Sequence, residues 1–501
     1  MLAGPNLAKS AREALSWSAG SQLLRDVLQF AAMLVMVRLL TPEDYGTAAL
    51  AQSVLGILAI TSFGNFAAHA FQFRDPFEID WQAHFTAAVF INVTLFLMTI
   101  IVAWALSSTQ RYAGAALPLA ALSTTFLVEI PATLRNRMLE TQHDWVRFRL
   151  LLILGTMLAL GAGLAVGLLG GGVWALVVQP PLFGLPAAID LIWRAQWRPD
   201  WSWSWARYRD TATFGFNRMG AAAAIRGRQT VEQTLMAGKY DFAALGVFTR
   251  AMGLATLVAG RLGSVAMQAL YPVVTRAEIR SAKFQRMAGL VLQGVCWTTI
   301  PAAAFFAFNA RDTVSLLYGQ QWLSVTPLLP LAVIGVALNG VAATLSSLLL
   351  ANNEIRFCLL IDVTGALVAI ILAFLLIPIN IVTYLAALAG LGLLTVIFFL
   401  SALVMTNGLG LKSVVTAVFP SLVACIFAVL IIQIGRYLVN DSYPAIVQLL
   451  TFGIGFAGMY LAVLRLGFPS ATRALLEVVP AGHSMIRWLR FSNLHYSSKV
   501  P

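Results

Sequence analysis

The sequence predicts an all-α, polytopic integral membrane protein of about fourteen transmembrane helices, and three observations predict it. Hydrophobic residues make up 59% of the chain and charged residues 11%, with a mean hydropathy of +0.81; soluble domains carry roughly 25% charged residues. The apolar residues fall in continuous runs of about 20, the length that spans hydrocarbon in helical form. The lysines and arginines collect in the connections between those runs. A water-soluble fold is excluded, and so is a transmembrane barrel, whose strands would read as short alternating segments.

Taken in order, the runs centre near Phe30, Leu55, Thr94, Ser123, Thr156, Leu182, Ala224, Leu257, Ile300, Val336, Ala369, Leu391, Phe427 and Phe456. The first follows Lys9 and Arg12 and has no small-residue cleavage site, so it reads as a retained helix and not as a signal peptide. An amino terminus in the cytoplasm puts most basic connections on the same side. They carry Arg74, then Arg135, Arg137, Arg147 and Arg149, then Arg194, Arg198, Arg207 and Arg209, then Arg276, Arg280, Lys283 and Arg286. Arg356, Lys412 and the tail from Arg465 to Lys499 complete the set. The opposite connections hold only Arg111, Lys239, Arg311 and Arg436, besides Arg38 at a helix end, a bias that places both termini in the cytoplasm.

The net charge of +12 is therefore topological and does not point to nucleic acid. The outward connections are short, the longest running from about Asn309 to Ser324, which leaves no room for an external catalytic domain. Cys296, Cys358 and Cys425 lie within apolar runs and read as small buried thiols.

A weak repeat appears at an offset of 200 residues, where Asp44-Tyr45-Gly46-Thr47-Ala48 lies over Ala244-Leu245-Gly246-Val247-Phe248 and Gln29 over Gln229. It divides the chain into an N-lobe of six helices and a cytoplasmic linker (1–210), a C-lobe of six helices (211–410), and two further helices with a basic tail (411–501). Trp201, Trp203 and Trp205 in the linker mark a membrane interface. Parallel repeats of this kind are a transporter habit, with the substrate site between the halves.

Polar residues inside the apolar runs are the candidates for function. On the first helix Ser18, Gln22, Arg25 and Gln29 recur at four- and three-residue steps and share one stripe. On the seventh, Asn217, Ala221, Ala224 and Arg228 form a similar stripe, with Glu232 one turn on and Arg218 and Arg226 flanking it. Arg250 and Arg261 on the eighth are nearly in phase.

These six intramembrane arginines face only Asp26 and Glu232 as evident acidic partners. Each would cost about 2.5 to 3.5 kcal/mol at mid-bilayer, so they must face water or protein. Either a hydrated central cavity lined by helices one, two, seven and eight collects them for an anionic substrate, or they pair singly with acids and snorkel to the interfaces. Asp26, Glu129, Glu232 and Asp362 are the acids that could couple a proton or sodium ion. The chain has no Gly-x4-Gly-Lys-Ser/Thr loop and no His-Glu-x-x-His, and its five histidines do not cluster, so neither catalysis, a metal nor a cofactor is expected.

Four stretches resemble one family. Arg38-Leu39-Leu40-Thr41-Pro42-Glu43-Asp44-Tyr45-Gly46 resembles the turn after the first helix of bacterial polysaccharide flippases in the multidrug, oligosaccharidyl-lipid and polysaccharide exporter superfamily. Ala244-Leu245-Gly246-Val247-Phe248, Leu270-Tyr271-Pro272-Val273-Val274-Thr275-Arg276 and Leu317-Tyr318-Gly319-Gln320-Gln321-Trp322 follow in that family's order.

The resemblance implies a Wzx-type flippase in a bacterial inner membrane, moving an undecaprenyl-diphosphate-linked repeat unit for O-antigen, capsule or exopolysaccharide by alternating access. Its implied partners are that lipid-linked oligosaccharide, membrane lipids, and a polysaccharide polymerase and glycosyltransferases. Arg25 and the seventh-helix arginines match the group's cationic cavity residues, whereas Glu232-Gln233 stands where many members carry an Asp. A drug or cation antiporter of the same fold, or a membrane-embedded polysaccharide polymerase or ligase, remains the alternative.

Overall fold

The computed structural model describes residues 5–67, 79–195, 197–201, 205–260, 278–279, 281–406, 408–438 and 445–478. Among these residues the chain is helical throughout and contains no strand. The long helices follow the apolar runs, and polar caps punctuate them. Asp80, Asp144, Ser281 and Asn380 each accept a backbone N–H at the first turn of the helix that follows, which satisfies donors that lipid could not.

The first compact unit, Met1–Thr249, contains α1 (Pro5–Leu39), α2 (Pro42–Leu58), α3 (Phe63–Ala67), α4 (Trp81–Ser107) and α5 (Ala113–Leu122). It continues with α6 (Thr124–Thr141), α7 (Trp145–Leu168), α8 (Trp174–Val177), α9 (Gln179–Arg194), α10 (Trp205–Lys239) and the first turns of α11 (Phe242–Ala255). Within it α1 lies along α7, α6 packs between α4 and α9, and α10 packs on α2. Buried Asn92 of α4 ties the core together, accepting from Phe63 N at 3.1 Å and donating to the Phe126 carbonyl at 3.0 Å.

The second unit, Arg250–Pro501, holds α12 (Ala282–Phe308), α13 (Ala310–Leu317), α14 (Leu329–Ala351), α15 (Ile355–Leu376) and α16 (Ile381–Met405), followed by α17 (Leu411–Leu438), α18 (Ala445–Gly467) and α19 (Pro469–Leu476). Its core is centred on α12, against which α14 and α17 pack. The Trp297 indole donates to the Ala417 carbonyl at 3.0 Å, and the Tyr460 hydroxyl donates to the Trp297 carbonyl at 3.1 Å. Cys296, Cys358 and Cys425 are buried free thiols, as their apolar settings predict.

Large apolar side chains such as Phe90, Trp104, Leu375 and Ile454 are exposed around both units, a surface suited to acyl chains and not to water. Eleven of the described segments are long and apolar enough to cross a membrane. Helices also stand at the other three expected positions, but α2 is only 17 residues long and α1 and α10 carry Arg25, Asp26, Arg226, Arg228 and Glu232. Length and composition therefore count eleven spans where the sequence predicts about fourteen.

Candidate functional site

The polar stripe of α1 forms a hydrogen-bonded chain. Gln22 Nε2 donates to Asp26 Oδ1 at 3.0 Å, and the Arg25 guanidinium donates to Gln22 Oε1. Positions 22, 25 and 26 fall within about one turn of each other, so a helix brings these groups together without tertiary help. Gln22 and Gln29 are exposed, while Arg25 and Asp26 are half-buried. The neighbouring α7 carries Arg149 one turn from its start, within electrostatic reach of Arg25. Arg25 thus has both a second guanidinium, Arg149, and a carboxylate, Asp26, within electrostatic reach.

The other arginine of α7 belongs to a different cluster. Arg147 Nη2 lies 2.7 Å from Asp190 Oδ1, and Arg135 Nε lies 2.6 Å from Asp190 Oδ2, so one buried carboxylate of α9 holds two arginines from α6 and α7. Counting charges by side of the membrane treats Arg135, Arg147 and Arg149 as topology markers only. The signal that could have located this cluster is Asp190 itself, an acid inside an apolar run that demands a cation.

On α10, Arg228 Nη1 lies 2.5 Å from Glu232 Oε1, and the acid is buried at 6% exposure. The Thr230 hydroxyl donates to the Ser53 carbonyl at 3.0 Å, which seats this stretch on α2. Arg226 is exposed, with Nη1 3.9 Å from where a Cβ on Gly56 would stand. Arg250 opens the second unit, where its backbone carbonyl accepts from the Tyr318 hydroxyl at 3.3 Å. The side chains of Asn217 and Arg218, the whole of Arg261, the Leu270–Arg276 motif, Arg74 and the tail beyond residue 478 lie outside the described residues.

The four candidate acids fall into different settings. Asp26 accepts from Gln22, Glu232 holds Arg228, Asp362 sits exposed on α15, and Glu129 lines a small cavity inside the first unit. No group of three or more His, Cys, Asp or Glu suited to a metal occurs among the described residues. What the α1 and α7 arginines offer chemically is planar, permanently charged N–H donors that match phosphate oxygens.

Residues 35–327 match the family model described as "Polysaccharide biosynthesis protein". An uncharacterized membrane protein in the cps region of Klebsiella pneumoniae is 20% identical over 348 residues, covering 68% of this chain and 71% of that protein. The succinoglycan biosynthesis transport protein ExoT of Rhizobium meliloti is 22% identical over 331 residues, covering 65% of this chain and 66% of that protein. Among solved structures, the lipid II flippase MurJ in an inward closed conformation superposes with a TM-score of 0.72 at 13% identity, covering 91% of this chain and 99% of that one. A multidrug resistance MATE family transporter of the MOP superfamily, in an inward-facing conformation, gives 0.55 at 15% identity over 79% of this chain and 97% of that one. Both likenesses are likenesses of fold.

Proposed function

The chain belongs to the polysaccharide biosynthesis protein family, and from that premise we propose that it flips lipid-linked oligosaccharide repeat units across the bacterial inner membrane. It is a multi-span membrane transporter and not an enzyme. The proposed substrate is an undecaprenyl-diphosphate-linked unit for O-antigen, capsule or exopolysaccharide. Both termini face the cytoplasm in this reading, and the polymerase and glycosyltransferases of the same route are its partners.

The observation that carries the proposal is that Arg25 of α1 has a second guanidinium, Arg149 of α7, within electrostatic reach, beside Asp26 on its own helix. Guanidinium groups on helices that lipid surrounds favour an anionic ligand, and a diphosphate headgroup supplies two charges beside its polyprenyl tail. Gln22, Gln29, Asn217, Arg226, Arg228, Arg250 and Arg261 complete the proposed cationic cavity, which rocking lobes expose first inside and then outside. By sequence α10 opens the second lobe (211–410), yet by contact it packs with the first unit. It is therefore the element proposed to change partners as the lobes rock, while 411–501 contributes accessory helices. Moving two negative charges outward down an inside-negative potential of about 100 mV releases about 4.6 kcal/mol, enough to bias direction without ATP.

Reconstitution into vesicles with a defined lipid-linked oligosaccharide tests this. Transport should fall at least tenfold in Arg25→Ala and in Arg149→Ala while both variants remain folded. Unchanged transport in both would remove the site.

A further inference from the structure

Inside the first unit, α6, α7 and α9 enclose a cavity of about 130 Å³. Thr125, Glu129, Thr133 and Asn136 line it from α6 at steps of four, four and three, so they occupy one face of that helix. Leu151 of α7 and Phe183 of α9 are among the apolar groups that close it. Thr125 Oγ1 and Asn136 Oδ1 are buried there and find no hydrogen-bond partner among the described residues. Glu129, half-buried on the same wall, likewise makes no ion pair among them.

Of the charged groups on the surrounding helices, Arg194 stands exposed at the end of α9, and the others have contacts away from the cavity. Arg135 and Arg147 hold Asp190, and Arg137 holds Glu140 at 2.8 Å. Arg149 lies toward Arg25, and His84 Nδ1 on α4 contacts the Asp80 carbonyl at 2.9 Å. The short helices α3 and α5, which also touch α6, carry no charged residue.

A bare carboxylate in a membrane-embedded bundle is costly, so Glu129 needs a positive companion. The cavity is well below the several hundred Å³ of a small-molecule pocket, yet it exceeds what one water requires. Its polar lining is made of oxygen atoms, apart from the amide nitrogen of Asn136, which suits a hard ion.

We propose that the Glu129 cavity is a monovalent-cation site, filled by a proton or a sodium ion and separate from the arginines. Loading and unloading it alters how α6 packs on α7 and α9, with Pro131 two residues on as the weak point of the helix. Cation binding needs only the cavity; its coupling to transport rests on the flippase reading above.

Infrared difference spectroscopy on the full chain in lipid tests the site directly, by titrating pH in sodium chloride and in choline chloride. The expected result is a carboxyl signal that changes with pH or with sodium, vanishes in Glu129→Gln and shifts in Glu129→Asp. Response to pH alone identifies the proton, and displacement of the signal by sodium at fixed pH identifies the ion. Identical difference spectra in wild type and in folded Glu129→Gln would overturn the proposal. Should Glu129→Gln fail to fold, absence of any shift in Glu129→Asp would overturn it equally. A Glu129 signal in a protein that flips no lipid-linked oligosaccharide would sink the flippase reading and leave the cation site standing.

Discussion

Gly46 and Gly246 face each other across the first turns of α2 and α11. A Cβ on Gly46 would stand 2.9 Å from Gly246 N and would collide with the Phe242 carbonyl; a Cβ on Gly246 would stand 3.1 Å from Gly46 N and would collide with that of Pro42. The two contacts are reciprocal, and each helix is capped at the equivalent position. Thr41 Oγ1 accepts from Asp44 N at 3.2 Å, and Asp241 Oδ1 accepts from Ala244 N at 2.6 Å.

Because the obstacle at both glycines is backbone, no rotamer change can relieve an added methyl group. Gly46→Ala or Gly246→Ala should force the two helix starts apart, at a cost of about 1 to 3 kcal/mol. Spin labels at exposed Glu43 and Lys239 should report a longer separation in either variant than in the parent. An unchanged separation would mean that the backbones do not meet here.

The 200-residue repeat made part of this visible in advance, since it overlays Gly46 on Gly246. Periodicity can show that two positions are equivalent, but not that equivalent positions touch. The long helices were legible for a similar reason, because apolar runs must become helices in lipid. The Gln22, Arg25 and Asp26 chain was legible because its members lie within one turn. The partners of Asp190 were not, since they stand 55 and 43 residues away in sequence. Nothing in sequence separated Glu129 from the other three acids either, because that difference lies in the walls around it.

Asp190 holds two arginines, which makes its loss worse than the loss of either of them. Asp190→Ala strands two cations, one of them buried, and should destabilise the first unit by about 3 to 5 kcal/mol. Arg135→Met leaves an Arg147–Asp190 pair intact and should cost distinctly less. Thermal unfolding in detergent ranks the variants, and equal losses would contradict the shared-carboxylate account.

If Arg25 and Arg149 grip the same diphosphate, their effects on flipping should not add. Each single alanine variant removes charge-assisted hydrogen bonds of about 1.5 to 3 kcal/mol, roughly a ten- to hundredfold loss. The double variant should lose much less than the product of the two. Arg25→Lys should recover part of the rate at most, because an ammonium cannot present the paired donors of a guanidinium. A strictly multiplicative double variant would assign the two arginines to separate tasks.

Asn92 tests how much one buried amide contributes where water cannot compensate for it. It is fully buried on α4 and serves two backbone groups at once, the Phe63 N–H and the Phe126 carbonyl. Asn92→Leu keeps the volume but orphans both. Interhelical hydrogen bonds in membranes contribute about 0.6 kcal/mol on average and at most about 2, so two lost bonds should cost roughly 1 to 3 kcal/mol. Asn92→Asp retains an acceptor for Phe63 N but loses the donor and introduces an unpaired acid, so it should be at least as damaging. Amide hydrogen exchange separates this outcome from general loosening, since exchange should rise first in α3 and at the start of α6. A uniform rise across the first unit would show that Asn92 fills space and does not bridge the three helices.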